Sequence, residues 1–520
     1  AFRPDYLRLS KFYKDSNIDV KRVVALTATA TPDVEKDICD KFDIDQERNS
    51  VRTAFFRPNL KFFFTPTQNE KESNHKLVQA ITTQTRGATI VYATVQKTTE
   101  KVAGLLKNAG VDAKFYHAGM EQDDRKATQE WFMEEGPPGS KARVVVATIA
   151  FGMGVDKSNI RYVYHYNLPK SLESYSQEIG RAGRDGLDSH CEVFCCLKDV
   201  AQLEGFAYCG SPSKKSIRGI LGDFFLNRDK RFYNQGFQRS VSHYSIGKAH
   251  DMLNNTVQML LAFIDIYQGL VSQGTPQYGQ YKIKAKNGGA VSILPGLLRQ
   301  CRNPSAASAL VRVCQTKRIW AHIDIEAASA YAPRTSLTAA LASLEQMRLI
   351  EVMPSQIEHV YRILKVPANL DIVAEIEYNR FQDRERRELS RIGQVLAFFT
   401  AQDCHAKILT EHFEGTKGPS NNNKNPFPCG FCPFCRTGSA INLNRSLEGF
   451  TIDPHLWRNL VNDAKLPKDD PQLIARFALG FKSPRINQLG LSKSRNFGLM
   501  EGAPYAKVME FIMSQMFPDL

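Results

Sequence analysis

A chain of 520 residues exceeds what one hydrophobic core organises, and about three or four domains are expected. Its 42% hydrophobic and 23% charged residues are ordinary for folded protein, and no run of eighteen apolar residues occurs, which excludes a membrane-spanning helix. A formal net charge of +14 and a pI near 9.2 favour a polyanionic partner.

The opening Ala1-Phe2-Arg3-Pro4-Asp5 carries neither an initiator Met nor a signal-peptide pattern and reads as an interior point of a longer chain. Residues 1–52 hold one predicted strand, Val23–Leu26, and a helix beginning after Thr31-Pro32. A single strand–helix pair cannot bury its own face, so the expectation is a sheet whose earlier strands are absent from these residues.

Within a domain expected over 53–205, residues 85–200 alternate short β-branched runs with amphipathic helical stretches. Ile90–Tyr92 reads as a buried strand, followed by a helix over Gln96–Asn108. Lys114–Tyr116 is a strand, and Glu121–Glu134 a helix with Trp131 and Phe132 inward. A Glu-Glu-Gly-Pro-Pro-Gly-Ser loop at 134–140 leads to the strand Arg143–Ala147. Ile160–Tyr166, a helix over Leu172–Arg181, and Cys191–Leu197 complete the series. This alternation predicts βαβ units and a parallel sheet, with ligands at the carboxyl ends of its strands.

Within 206–368 the texture changes to helices and short hairpins. Thr335–Ile350 places Leu337, Leu341, Leu344 and Met347 on one helical face. It runs into two strand-like segments, Ile350–Met353 and His359–Lys365, in the manner of a winged helix. Asp251–Ile266, Gly269–Val271 and Tyr281–Lys284 suggest a second such unit. Residues 369–440 comprise a long charged helix (369–403) and a cysteine module (404–438). Ser439–Asn444 and Asn421–Asn423 read as flexible, and 441–520 as helical, ending on the amphipathic Ala506–Met516. The fold class expected is α/β, with parallel-sheet lobes followed by helical or winged-helix-like domains and a four-cysteine metal module.

Of eleven cysteines, seven (Cys39, Cys191, Cys195, Cys196, Cys209, Cys301, Cys314) are scattered and read as buried free thiols. That usage fits a reducing compartment, cytosol or nucleus. The other four form Cys404…Cys429-Gly-Phe-Cys432-Pro-Phe-Cys435. Four thiolates at this spacing suit a closed tetrahedral structural zinc site, while C-x₂-C-x₂-C also leaves an iron–sulfur cluster open. His405 and His412 are backup ligands if a cysteine is out of place, and otherwise surface histidines.

QEIGRAGRDG at 177–186 follows a helix and precedes a strand. Two arginines three apart can both reach a polyphosphate, and arginine offers bidentate donors and a charge that never titrates. Gly180 and Gly183 clear space for close backbone approach. A bare GRAGR is ordinarily a solvated loop, but the ten-residue stretch closely resembles motif six of RecQ helicases. Ala25–Ala30 resembles the motif coupling the ATP site to DNA. Phe56-Arg-Pro-Asn-Leu60 resembles the stretch joining the two motor lobes. Thr89–Thr94 resembles motif four, with Lys97 where many members have Arg. Phe115–Gly119 is similar to the next short motif, and Val146–Asp156, continued by Tyr164–Pro169, to motif five. The order and spacing resemble RecQ more than the DEAD-box RNA helicases. The displaced zinc-type module and the stretch Ile474–Pro484 are similar in layout to the Rothmund–Thomson branch of the family.

The resemblance implies RecA-like lobes: the end of the first over 1–52 and the second over 53–205. It implies Arg184 as the trans-lobe arginine on the ATP γ-phosphate, with Arg181 and Gln177 beside it. Gly154 and Asp156 would line the nucleotide side, and Thr27 and Thr29 would couple the ATP and DNA sites. Thr94, Lys97, His117, Gly119 and Thr148 would face phosphates of the tracked strand. It implies ATP with Mg²⁺, zinc on Cys404, Cys429, Cys432 and Cys435, and DNA, single-stranded or forked, as partner. A nuclear location follows if the source is eukaryotic, and a cytoplasmic one otherwise; no membrane partner is expected.

Neither a G-x-x-x-x-G-K-[ST] phosphate loop nor Asp-Glu-x-His occurs in the 520 residues. The chain is therefore expected to supply the arginine half of a composite ATP site and not to hydrolyse ATP alone. The expected activity of the complete protein is ATP-dependent 3′→5′ DNA unwinding in repair, recombination or replication. The rival is a catalytically incomplete DNA-binding or strand-annealing fragment. Arg228–Tyr233 and Lys282–Lys286 are further candidate DNA contacts, whereas Arg380–Arg391, interleaved with Glu and Asp, reads as a salt-bridged solvated helix face.

Overall fold

A computed structural model describes residues 4–15, 20–83, 87–135, 143–152, 154–227, 229, 231–286, 291–415, 426–443, 452–463 and 466–516. The asparagine run at 421–423, Met153, Arg228, Lys230, residues 136–140 of the Pro-Gly loop and Asn444 lie outside them. The chain divides into two compact units. One comprises Ala1–Lys11, Pro212–Phe381 and Ser483–Gln488, and the other Phe12–Ser211, Gln382–Lys482 and Leu489–Leu520.

The larger unit is built on six parallel strands: β1 (Leu60–Thr67), β2 (Ala88–Tyr92), β3 (Ala113–Tyr116), β4 (Val144–Ala147), β5 (Ile160–His165) and β6 (Ser189–Cys196). Their order is β1-β6-β5-β2-β4-β3. All four residues of β4 are buried, because a parallel strand covered on both faces must be apolar throughout. One face packs Val91, Val144, Val146 and Phe194 against Leu77, Ile81, Val102 and Leu106 of helices Glu70–Thr83 and Gln96–Asn108. The other packs Ile90, Val145, Val163 and Val193 against Phe132, Leu172, Tyr175 and Ile179. This is a RecA-like lobe in its layering.

The second face also receives Phe398, Phe399, Cys404, Leu409, Phe413 and Cys432. The cysteine module therefore folds back onto the sheet from more than two hundred residues downstream, as one continuous core.

The expected strand at Val23–Leu26 is not formed: these residues are extended but unpaired, with Val24 at 78% and Leu26 at 91% exposure. No described strand lies beside them, and a strand without ladder partners has nothing to hold its backbone groups. The helix after Thr31 forms as Pro32–Phe42, with proline in its first turn. Trp131 is only half-buried, stacked under the Lys114 ammonium and the Arg143 guanidinium, while Phe132 takes the core position.

The smaller unit holds β7 (Gln238–Val241), β8 (Val271–Gln273), β9 (Gln277–Ala285), β10 (Gln315–Thr316), β11 (Ala321–Asp324) and β12 (Ile350–Ile363). They form an antiparallel sheet of order β10-β11-β9-β12-β7, with β8 on β12. The helix–strand sequence expected of a winged helix is present as Arg334–Gln346 followed by β12, with Leu337, Leu341 and Leu344 buried. Two details differ. Met347 falls beyond the helix and is 42% exposed. The two segments read as a hairpin are one strand: its first part pairs β9 and its last part β7 and β8. Within the part on β9, Gln356 sits at φ 53° while Ser355 and Ile357 keep the same register on Gln280 and Tyr278, so the strand continues without a shift.

Cys209 and Cys314 are half-buried, and the other five scattered cysteines are buried. Arg384 and Arg386 pair with Glu388 and Asp383 as a solvated face should, but Arg380 lies over the Tyr267 ring at 4.1 Å and pairs with the buried Glu377.

Candidate functional site

The QEIGRAGRDG loop starts from helix Leu172–Ile179, whose first turn is capped by the Ser171 hydroxyl accepting from Ser174 N–H at 3.1 Å. Arg57 and Asn59 hold the loop that follows. The Arg57 guanidinium donates to the carbonyls of Gly180 at 3.1 Å, Ala182 at 2.9 Å and Gly183 at 2.5 Å. The Asn59 amide donates to Gly183 and Leu187 carbonyls at 2.8 and 3.0 Å. Gly183 sits at φ +55°, where a Cβ would run into Asn59 and Ser189, so glycine is required for both conformation and space. Burial lowers the Arg57 pKa from its ordinary value, and the positive charge of Arg184 adds to the effect.

The two loop arginines part ways. Arg181 is half-buried and donates to the Gly152 carbonyl at 2.5 Å, tying the loop to the glycine-rich stretch after β4. Arg184 is exposed and donates to Asp156 at 2.5 Å. Gln177 donates its amide to the Thr29 hydroxyl at 2.9 Å, and Thr29 N–H reaches the Thr27 hydroxyl at 3.3 Å. Thr27, Thr29, Gln177, Arg181 and Arg184 line one cavity of about 1180 Å³. Asp156 joins this group through Arg184; Gly154, at φ +78°, is exposed beside it.

The expected strand-tracking residues gather at the carboxyl ends of β2, β3 and β4. Thr94 N–H donates to Asn167 Oδ1 at 3.2 Å, and the Asn167 amide donates to Asp199 at 2.9 Å. Burial pushes Asp199 up to about 7, against the lowering effect of the Leu168 N–H and Asn167 amide that it accepts. His117 is buried. Its Nδ1 accepts from Gly119 N–H at 3.2 Å, which leaves the Nε2 proton to Glu100 at 3.0 Å. The Thr148 hydroxyl accepts from Ala150 N–H at 3.4 Å, and Lys97 stands exposed in the first turn of helix Gln96–Asn108. His117 and Thr148 thus shape backbone, and Lys97 and Gly119 are the exposed members.

The four cysteine sulfurs of Cys404, Cys429, Cys432 and Cys435 lie within 4.8 Å of one another. A tetrahedral Zn–S₄ set with bonds near 2.3 Å has edges of about 3.8 Å; Cys429 and Cys435 stand 3.9 Å apart. Backbone N–H groups of Cys429, Cys432 and Cys435 point at the sulfurs of Cys404, Cys429 and Cys432 at 3.4 to 3.5 Å, the second layer that thiolate ligands require. Hydrogen bonds from Cys429 and Cys432 hold the Cys404 thiol well below its usual range. The donor set fits a metal ion. Neither histidine joins it: His412 pairs with Glu173 at 3.1 Å, and His405 is a fully buried core residue, edge-on to Phe64 at 4.7 Å, not a surface one.

Arg57, Asn59, Asn167, Asp199 and Glu173 were not singled out from sequence. Arg57 and Asn59 lay in a recognised stretch, but the acceptors they serve are backbone carbonyls, which no side-chain pattern announces.

Residues 72–186 match the family model described as the helicase conserved C-terminal domain. The ATP-dependent DNA helicase RecQ of Bacillus subtilis is 42% identical over 199 residues, covering 38% of this chain and 32% of that protein. The mouse ATP-dependent DNA helicase Q5 is 40% identical over 219 residues, 39% of this chain and 21% of its own length. Yeast ATP-dependent helicase SGS1 is 36% identical over 205 residues, 39% of this chain and 13% of its own. The chain spans about a third or less of the length of these relatives.

Proposed function

We propose that the chain is the C-terminal portion of a RecQ-type helicase and supplies the second motor lobe, the trans-lobe arginine and the metal-stabilised module of an ATP-dependent 3′→5′ DNA helicase. The helicase C-terminal-domain match and the 36–42% identity to RecQ relatives support this reading. The observation that carries this reading is the division of labour in the 177–186 loop. Arg181 is spent on the Gly152 carbonyl, while Arg184 projects from a braced backbone and, among the described residues, bonds a solvated carboxylate. An exposed ion pair of that kind is worth little and exchanges readily. Arg184 can leave Asp156 for a phosphate presented from another lobe, and stabilising transferred-phosphoryl charge is the task of such an arginine. Thr27 and Thr29, linked to Gln177, would report that engagement to the strand-binding edge.

ATP with Mg²⁺ would draw most of its contacts from a phosphate-cradling lobe, and Arg184 and Gln177 would supply the remainder, with Arg181 holding the loop beside them. The four cysteines would hold zinc, whose chemistry there is structural: a closed sulfur set leaves no open position. Of the two readings of C-x₂-C-x₂-C, zinc is favoured by the spacing of the four sulfurs, all within 4.8 Å of one another, which suits one ion at their centre, whereas a multi-iron cluster holds its thiolates further apart.

DNA as partner is supported by charge placement. The smaller unit holds 25 Lys and Arg against 13 Asp and Glu, so it accounts for nearly all of the chain's net +14. On the sheet face away from Leu337 and Leu341, Lys282 pairs across strands with His322 and Met353, and Lys284 lies over Trp320 at 4.8 Å. Burial, then the Lys317 and Lys282 charges, lower the pKa of His322. A basic face with an aromatic at its edge suits a phosphate backbone with accessible bases.

Two measurements test the reading. The coding sequence upstream of Ala1 should encode a G-x-x-x-x-G-K-[ST] loop and Asp-Glu-x-His within a few hundred codons. The polypeptide carrying both should unwind duplexes with a 3′ single-stranded tail in the presence of ATP. An open reading frame beginning at Ala1 leaves the fragment reading in place of the motor.

A further inference from the structure

Residues 52–60 touch the cysteine module on one side and the arginine loop on the other. Phe55 stacks on Phe413 at 4.3 Å, and its N–H donates to the Glu414 carboxylate. Phe56 lies between Phe427 at 5.1 Å and Phe431 at 6.2 Å, both inside or beside the cysteine knuckle. Arg52 donates to the Phe413 carbonyl. One residue further, Arg57 turns its guanidinium the other way, onto Gly180, Ala182 and Gly183.

We propose that Arg57 is a positioning residue for Arg184: anchored by the aromatic seating of Phe55 and Phe56 on the cysteine module, its guanidinium fixes the backbone of 180–183 from which Arg184 projects. The proposal rests on reading Arg184 as the trans-lobe arginine.

Each side of the loop is held by a separate device. Arg181 binds the Gly152 carbonyl, Gly183 N–H donates to Ile160 at 3.0 Å, and Asn59 binds Gly183 and Leu187. Among the described residues Arg57 alone spans 180 to 183, bridging the end of helix Leu172–Ile179 and the left-handed Gly183 in one planar group. A lysine cannot reproduce this. Its three donors radiate from one nitrogen, whereas the guanidinium presents a rigid fork that reaches carbonyls two and three residues apart at once. Arg57 lines the same cavity as Arg184, but its guanidinium is bonded to backbone carbonyls, so its effect on Arg184 passes through the backbone. Displacing a catalytic group by about 1 Å can cost on the order of 100-fold in rate.

The first test uses this chain as it stands. In Arg57→Gln, hydrogen exchange at the Ala182, Gly183 and Gly186 amides should rise about tenfold or more, and the Arg184 Nε–Hε resonance, assigned with Arg184→Ala, should shift or broaden. Arg57→Lys should behave in the same way, and it serves as the probe if Arg57→Gln does not fold. Unchanged exchange with an unchanged Arg184 resonance in the folded variant overturns the proposal. The second test uses the polypeptide that includes the phosphate-binding lobe. Arg57→Ala should lower kcat of DNA-stimulated ATP hydrolysis by about 10- to 100-fold with KM little altered. It should add nothing once Arg184→Ala is present, since a residue acting only through Arg184 has no further effect without it. Additive losses overturn the positioning role. Full turnover in Arg184→Ala instead overturns the reading of Arg184, a failure that the exchange experiment leaves separate.

Discussion

The Arg181 guanidinium and the Gly152 backbone are in direct contact, with the carbonyl accepting at 2.5 Å and the Cα facing the guanidinium so closely that a Cβ would collide with it. Gly152 also lies at φ +150°. The glycine-rich stretch after β4 and the arginine loop after helix Leu172–Ile179 are thus one joint, closed by the Arg181 guanidinium.

Gly152→Ala should therefore cost about 1–3 kcal/mol in stability through backbone strain and a displaced Arg181. Urea unfolding of this chain measures it. Gly154→Ala, at an open position with φ +78°, should be milder because no side chain stands in the way.

Glu173 accepts from His412, and this hydrogen bond, outweighing burial, holds its carboxyl down at about 2. A depressed carboxylate stabilises the fold above its unfolded pKa and loses that contribution as pH falls through the folded value. The pair should stabilise the join between helix Leu172–Ile179 and helix His405–Glu414 at pH 5 and above, fading between about pH 4 and 2. Thermal melts of wild type and Glu173→Gln should differ at pH 6 and converge toward pH 2. A gap that persists at pH 2 contradicts the assignment.

Metal analysis should find about one zinc per chain, reduced in Cys432→Ser and unchanged in His412→Ala. Chelation should expose the Phe55–Phe413 and Phe56–Phe427 contacts, so proteolysis near Arg52 should accelerate on metal removal. Iron with visible absorbance contradicts the zinc assignment.

Lys282→Ala and Lys317→Ala should each weaken binding of a labelled single strand across sequences and reduce the slope of log K against log salt by about 1. Fluorescence anisotropy across a salt series measures this. An unchanged slope in the double variant removes the sheet face from the DNA-binding surface.

Much of this was legible in the sequence where one side chain or one strand carries the signal. Strands β2 to β6 read as apolar runs because they are buried on both faces, and the cysteine cluster read as a ligand set because thiol spacing is itself the chemistry. β1 escaped notice: Leu60–Thr67 mixes Lys, Thr and Pro into its run, and its partner β6 is remote in sequence. β12 was split in two because the Pro354–Gln356 stretch looks like a turn, whereas the strand keeps one register on β9 through it. Val23–Leu26 has strand-like residues and no neighbour. The resemblance already set Arg184 on the γ-phosphate with Arg181 beside it, but nothing in the sequence announces that Arg181 bonds the Gly152 carbonyl while Arg184 meets a solvated carboxylate.

DNA-stimulated ATP hydrolysis by Arg184→Ala, in the polypeptide that includes the phosphate-binding lobe, tests the central claim most directly. Turnover should be abolished while DNA affinity is largely retained, because among the described residues the hydrogen-bond partner of Arg184 is Asp156, in the nucleotide-side cavity group. Turnover at the wild-type rate would contradict it.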